Sequence, residues 1–186
     1  MLDLTTINKS WTLFLDRDGV INEDKSPYTL NAEQFDFYNG VPEAISKLGK
    51  IFGRVIIITN QRGVGRNLMT EEDLEAIHRK LLSGVASAGG KIDAIYYCTS
   101  TSNEHPDRKP NPGMALRALK DFADIIPSKS IMVGNNLSDM QFGKNAGFYT
   151  VLVHTTGTKI TPPHPLVDLQ FDTLPHFANS LSYFLH

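Results

Sequence analysis

An α/β fold with a mostly parallel central sheet flanked by helices is predicted by three features of the sequence. Short apolar, β-branched runs alternate with stretches whose apolar residues recur at helical spacing. The runs are apolar on both faces, as interior parallel strands must be, Val55-Ile56-Ile57-Ile58 most clearly. Polar clusters follow the first four runs, and in parallel sheets ligands sit beyond the carboxyl ends of the strands.

The elements follow in order. Met1 to Ser10 is polar enough to be a loose lead-in, and Trp11 to Leu15 is the first strand. Glu23 to Asn39 carries Pro27, Tyr28, Phe35 and Phe37 without a clear period and reads as a loop or short hairpin. Pro42 suits a first helical turn, and Ala44, Ile45, Leu48 and Phe52 continue the helix. Arg54 to Asn60 is the second strand. Thr70 with Asp73 forms a capping-box signature that opens a helix with Leu74, Ile77, Leu81, Leu82 and Val85 on one stripe. Gly89-Gly90 stops that helix. Ile92 to Cys98 is the third strand, Met114 to Ala123 a helix, and Ser130 to Val133 the fourth strand. A short helix then runs to Gly147, and Tyr149 to Val153 is the fifth strand. Pro162, Pro163 and Pro165 impose an extended segment. Val167 to Phe171 reads as an edge strand, before a final helix from Leu174 to Phe184.

The 186 residues suit one domain, 1–186, with a core of its own, and no internal repeat or low-complexity tract divides them. A formal net charge of -2 gives no basic bias, which argues against a nucleic-acid partner. The single cysteine, Cys98, excludes an intrachain disulfide and fits a reducing compartment. No basic run followed by an apolar core opens the chain, and no apolar run approaches membrane-spanning length. A cytoplasmic protein, monomeric or weakly self-associating, is expected.

The chemistry centres on Phe14-Leu15-Asp16-Arg17-Asp18-Gly19-Val20-Ile21-Asn22. Residues two apart on an extended chain face the same side, so Asp16 and Asp18 point toward one small volume. Gly19 allows a sharp turn through positive φ. Two carboxylates held together call for a cation between them, and a hard ion such as Mg²⁺ prefers oxygen ligands. The plainer alternative is a strand ending in an ordinary Asp/Gly turn. Three further clusters join these aspartates at the same sheet end: Thr59-Asn60, Arg108-Lys109-Pro110, and Asn135 with Asp139. Gly63 and Gly65 lack the spacing of a dinucleotide fingerprint, and the six histidines show no ligand spacing; His78 and His176 read as helix-surface or core residues.

In order and chemistry these clusters resemble the haloacid dehalogenase-like (HAD) phosphohydrolases, over Leu13 to about Gly147. Asp-Arg-Asp-Gly-Val-Ile-Asn, Thr-Asn-Gln-Arg-Gly-Val-Gly-Arg and Arg-Lys-Pro-Asn-Pro-Gly-Met are similar to signatures of the subgroup that holds heptose-bisphosphate and histidinol-phosphate phosphatases. The resemblance implies a Rossmann-like HAD fold, here without a separate cap domain because the gaps between motifs are short. It implies a Mg²⁺-dependent phosphomonoester hydrolase. Asp16 would be the nucleophile and Asp18 the general acid and base. Thr59, Asn60, Gln61, Arg62, Arg66, Arg108 and Lys109 would bind substrate, and Asp16, the Asp18 carbonyl, Asn135 and Asp139 would serve the metal. The expected partner is a small phosphorylated metabolite, most simply a heptose 1,7-bisphosphate. Histidinol phosphate, a polynucleotide 3′-phosphate and a non-catalytic phosphate-binding role stay open.

Two departures stand out. Asn135 occupies a position where the related phosphatases carry aspartate, so it offers the metal a neutral carbonyl oxygen in place of a charge. A zinc loop of cysteines and a histidine before Arg-Lys-Pro is reduced to Cys98, His105 and Asp107, short of the four ligands a structural zinc needs, and no zinc is expected.

Overall fold

The computed structural model describes residues 2–25, 28–156 and 160–182. Its centre is a sheet of six strands, β1 (Thr12–Leu15), β2 (Arg54–Asn60), β3 (Ala94–Cys98), β4 (Ser130–Gly134), β5 (Tyr149–Val153) and β6 (Leu169–Phe171), in the order β3-β2-β1-β4-β5-β6. Every neighbouring pair is parallel, and β1 lies between β2 and β4, with Leu13 level with Val55 and Ile131. The helices are α1 (Val41–Ile51), the single turn α2 (Arg62–Gly65), α3 (Glu71–Ser87), α4 (Gly113–Asp121), α5 (Leu137–Asn145) and α6 (Leu174–Ser182).

Strand alternation divides the core into two layers. Leu13, Leu15, Val55, Ile57, Ile131 and Val133 point to one face, where Ile45 and Leu48 of α1, Leu74, Ile77 and Leu81 of α3, and Phe177 of α6 cover them. Phe14, Ile56, Ile58 and Met132 point to the other, under Met114 and Ala118 of α4 and Phe142 of α5. Phe14 stacks on Phe148 with ring centroids 4.6 Å apart. Truncating such a fully buried ring costs about 3–5 kcal/mol, so this layer alone can decide whether the chain folds.

The capping box opens α3 as its sequence predicts: Asp73 N–H donates to Thr70 Oγ1 (3.1 Å), and Thr70 N–H donates to Asp73 Oδ2 (2.9 Å). Two details depart from the sequence reading. The lead-in is not loose, because Leu2 and Ile7 are buried in the core around a short 3₁₀ turn, Leu4–Thr6, capped by Asp3. On α3, Leu82 is exposed, and His78 instead completes the buried row of Leu74, Ile77, Leu81 and Val85. Of the two readings of the 23–39 segment, loop or short hairpin, the loop is the one formed, pinned by one bridge between Asn22 and Phe37, with no hairpin strands among its described residues. Ser26 and Pro27 of that loop, and Tyr183 and Phe184 of the expected last helix, lie outside the described residues. No described helix is long and apolar enough to cross a membrane.

Candidate active site

Because β1 is the middle strand, the backbone leaving it is delivered to the centre of the sheet's carboxyl edge. Asp16 N–H still bonds the carbonyl of Val133 in β4 (2.9 Å), which fixes the first carboxylate against the neighbouring strand. The chain then turns tightly: the Arg17 carbonyl accepts from Ile21 N–H (2.8 Å), and Gly19 N–H donates to the Asn22 carbonyl (2.8 Å). Gly19 has φ +83°, and a Cβ there would collide with the Asn135 side-chain amide, so only glycine fits for both reasons.

Lys109 is brought in by the loop after β3. That loop is clipped to the end of β2 by a reciprocal pair, Lys109 N–H to Asn60 Oδ1 (3.1 Å) and Asn60 Nδ2 to the Lys109 carbonyl (3.2 Å). The ammonium is buried and has three donors, each of which finds an acceptor. They are Asp16 Oδ1 at 2.7 Å, Asp139 Oδ1 at 2.7 Å and the Ile58 carbonyl at 3.0 Å. Burial opposes its charge, but the two carboxylates outweigh burial and hold the Lys109 pKa above the usual lysine value. Burial, and then the neighbouring Asp139 charge, push Asp16 up to about 7 against the pull of Lys109. Two carboxylates thus share one ammonium in a buried place, which leaves room electrostatically for further positive charge.

Asp18 lies in a different setting. Burial would raise its pKa, but Arg17, then Asn22 and Gln61, outweigh burial and hold the carboxyl below the usual range. Arg17 Nη2 is 2.9 Å from both carboxylate oxygens, Asn22 Nδ2 donates to Oδ1 (2.9 Å) and Gln61 Nε2 donates to Oδ2 (2.9 Å). Gln61 Nε2 also reaches Thr59 Oγ1 (2.8 Å), so the end of β2 and the turn after β1 are tied through one amide. Behind Arg17 sits His78 of α3, Nε2 to Nη1 3.5 Å. Burial, with the adjacent guanidinium, pushes the His78 imidazole down to about 4, so it is neutral at pH 7 and can accept.

These groups line a cleft of about 170 Å³ that brings together Asp16, Asp18, Thr59, Asn60, Gln61, Lys109 and Asp139 of the sequence-predicted set. Arg62, Arg66 and Arg108 do not line it but gather beside it. Arg66 Nη1 donates to the hydroxyl of the cleft residue Tyr28 (2.9 Å) and its guanidinium lies over that ring. Arg62 and Arg108 both reach Asn103 Oδ1, at 2.6 and 3.4 Å. Burial, then the positive charge of Arg62, lower the Arg108 pKa, and Arg66 adds to the effect. Among the described residues none of the three pairs with a carboxylate.

The metal-directed residues divide as well. Asn135 is buried beneath Gly19, its Nδ2 donating to Thr156 Oγ1 (3.0 Å), and its Oδ1 is a buried acceptor with no partner among the described residues. Asn135 is absent from the cleft lining, but an orphaned carbonyl oxygen is a donor of the kind a hard cation takes. Asp139 is already committed, Oδ1 to Lys109 and Oδ2 to the Asn136 N–H (3.1 Å) in the capping box of α5. The described residues contain no cluster of three or more His, Cys, Asp or Glu that could hold a metal. Of the reduced zinc loop, Cys98 and His105 meet, Sγ to Nδ1 3.7 Å, while Asp107 turns to Arg117 (3.1 Å).

Sequence reasoning missed Arg17, Asn22 and His78 as parts of this site. The signal for His78 was present, a polar residue four positions after Leu74 on an otherwise apolar stripe.

A family model described as HAD-hydrolase-like matches residues 107–172. The D-glycero-alpha-D-manno-heptose-1,7-bisphosphate 7-phosphatase of Mycobacterium bovis is 35% identical over 175 residues, 93% of this chain and 92% of that protein. The D-glycero-beta-D-manno-heptose-1,7-bisphosphate 7-phosphatase of Escherichia coli K12 is 36% identical over 162 residues, 81% of this chain and 82% of that protein. Among solved structures, the D,D-heptose 1,7-bisphosphate phosphatase of B. bronchiseptica, complexed with magnesium and phosphate, superposes with a TM-score of 0.83 at 29% identity, covering 93% of this chain and 98% of that one. With this similarity carried along nearly the whole chain and a parallel sheet that presents Asp16, Asp18, Thr59 and Lys109 at one edge, the protein belongs to the HAD family, in the branch of the heptose-bisphosphate phosphatases.

Proposed function

We propose that this chain is a Mg²⁺-dependent phosphomonoester hydrolase that removes one phosphate from a heptose 1,7-bisphosphate through a phosphoryl group carried on Asp16. Asp16 attacks phosphorus, and the O–P bond to the sugar breaks as the Asp16–P bond forms. Lys109 holds the Asp16 carboxylate in place and offsets its charge, so that two anions can meet. Thr59, at the end of β2, offers its hydroxyl to a phosphate oxygen. Asp18, ionised in the free protein, takes up a proton as the anionic phosphate arrives beside it and gives that proton to the departing sugar oxygen; the carboxylate so regenerated takes one from the water that later cleaves the Asp16–phosphate bond. Asp16, the Asp18 carbonyl and Asn135 Oδ1 would hold Mg²⁺, with Asp139 acting through Lys109 or a water; when bound, the ion neutralises phosphate charge.

The observation that carries this reading is the pair of carboxylates two residues apart, one clamped by Lys109 and one by Arg17 and Gln61, at the mouth of one cleft. Arg62, Arg66 and Arg108, which among the described residues pair with no carboxylate, favour a substrate with a second anionic group. A small phosphorylated metabolite in the cytoplasm is the partner this implies. The test is Mg²⁺-dependent release of phosphate from both anomers of the heptose bisphosphate, histidinol phosphate, a 3′-phosphorylated oligonucleotide and p-nitrophenyl phosphate. Preference for a heptose bisphosphate by kcat/KM is expected. Preference for the oligonucleotide or histidinol phosphate would replace the substrate, and binding without turnover across the panel would favour a non-catalytic role.

A further inference from the structure

Arg17 is among the largest fully buried side chains in the molecule, 1% exposed, although it lies on a turn between two acidic residues. Burying a guanidinium is costly unless its donors are met. Here Nη2 reaches both oxygens of Asp18 (2.9 Å) and Gln61 Oε1 (3.1 Å), Nε reaches Asp18 Oδ1 (3.3 Å), and Nη1 faces His78 Nε2 (3.5 Å). The side chain therefore spans from the cleft wall to α3, and each anchor comes from a different element. His78 in turn tilts against the ring of Tyr97 in β3, with centroids 5.7 Å apart. Nothing in phosphoryl transfer itself requires an arginine this deeply buried. Its geometry accounts for something else: the Asp18 carboxylate has one orientation because a rigid, planar fork backed by the core grips it.

We infer that Arg17 is a positioning residue, and that with Gln61 and His78 behind it, it aims the Asp18 carboxylate at the leaving oxygen and at the hydrolytic water. The inference rests on the role of Asp18 proposed above. Its consequence is specific to proton transfer. A nitrophenolate leaves without needing a proton, whereas a sugar alkoxide does not. Loss of aim should thus harm the first chemical step for sugar phosphates only, and the hydrolysis of phosphorylated Asp16 for both.

The test compares Arg17→Met with wild type on the preferred sugar phosphate and on p-nitrophenyl phosphate at saturating Mg²⁺. Expected is a fall in kcat/KM of about 10²-fold for the sugar phosphate, within the range of a lost general acid, against a few-fold change for p-nitrophenyl phosphate. With p-nitrophenyl phosphate, kcat should also fall and a burst of nitrophenolate near one per active site should appear, because the second step has become limiting. Arg17→Lys, which keeps the charge but not the fork, should recover only part of the loss. A merely structural role would lower both kcat/KM values together and shrink the burst with the active fraction, and that result would overturn the inference. Should Arg17→Met fail to fold, His78→Phe removes the backing from outside the cleft, and a several-fold loss with the same leaving-group dependence is expected. Equal losses on both substrates, or none, would overturn the inference there too. Wild type inactive on every phosphate would instead defeat the proposed function and leave no Asp18 role to support.

Discussion

Asp16 and Asp18 leave the same strand two residues apart and line the same cleft, yet their surroundings push their acidities in opposite directions. Asp16 shares the Lys109 ammonium with Asp139 in a buried place, and burial with that second carboxylate lifts it to about 7. Asp18 is more exposed, its side chain 24% against 10% for Asp16, and Arg17, Asn22 and Gln61 outweigh its burial and hold it low. Adjacent residues of one type acquire different tasks because different elements reach them: the loop after β3 and the first turn of α5 serve Asp16, while the end of β2 and the middle of α3 serve Asp18. The lysine side is arranged around charge excess and suits an incoming cation. The arginine side is saturated with donors and suits a fixed orientation.

The comparison can be broken one side at a time. Asp16→Asn should cost several orders of magnitude in kcat while the fold is kept, as measured by phosphate release and circular dichroism, because the nucleophile is lost with little change of volume. Next in size is Lys109→Met. It leaves two buried carboxylates facing each other without their counter-ion, and a destabilisation of about 3–5 kcal/mol in urea unfolding is expected along with loss of activity. Unchanged stability would mean that the pair is balanced in some other way.

On the arginine side, His78 supplies a pH test whose sign is fixed. Its folded-state pKa near 4 lies below the unfolded value near 6.5. The folded protein therefore binds fewer protons than the unfolded chain between those values, and stability present above pH 6.5 is lost as pH falls toward 4. The loss should be on the order of 3 kcal/mol across that window. Comparing urea unfolding of wild type and His78→Phe at pH 7 and pH 4.5 isolates it, since other carboxylates titrate in both; an identical pH dependence would contradict the burial described for this imidazole. Smaller still, Arg66→Ala should raise KM for a bisphosphate about tenfold, the worth of one charge-assisted bond, with KM for a monophosphate unchanged. Equal effects on both would remove Arg66 from recognition of a second anionic group.

Much of this frame was legible in the sequence. Arg54 to Asn60 reads as a strand and is one, and Thr70 with Asp73 forms the expected capping box. Gly19 adopts the positive φ that an Asp-x-Asp-Gly turn needs. The residues brought to the cleft by the ends of β1 and β2 were also foreseeable, since parallel topology dictates where strand ends go. Arg17 was not. An arginine in a turn just beyond a strand reads as solvated until Asp18 is known to hold it and α3 with its His78 to cover it. Leu2 and Ile7 were hidden for a similar reason, because two apolar residues among polar ones carry no period. The arrangement of Arg62, Arg66 and Arg108 around Asn103 and Tyr28 depends on loop conformation, which local sequence does not set.

The central claim is that phosphate passes through Asp16, and it can be tested on the residue itself. Wild-type protein and an Asp18→Asn variant, which should be slow to release the phosphoryl group, are incubated with Mg²⁺ and p-nitrophenyl phosphate, whose leaving group needs no proton, then quenched in acid and reduced with borohydride. Peptide mass spectrometry then locates any acyl phosphate, because reduction converts a phosphorylated aspartate to homoserine. The expected result is homoserine at position 16, more abundant in the Asp18→Asn variant and absent without substrate. Turnover with no modification at Asp16 in either protein, or modification at Asp18 or Asp139 instead, would contradict the account.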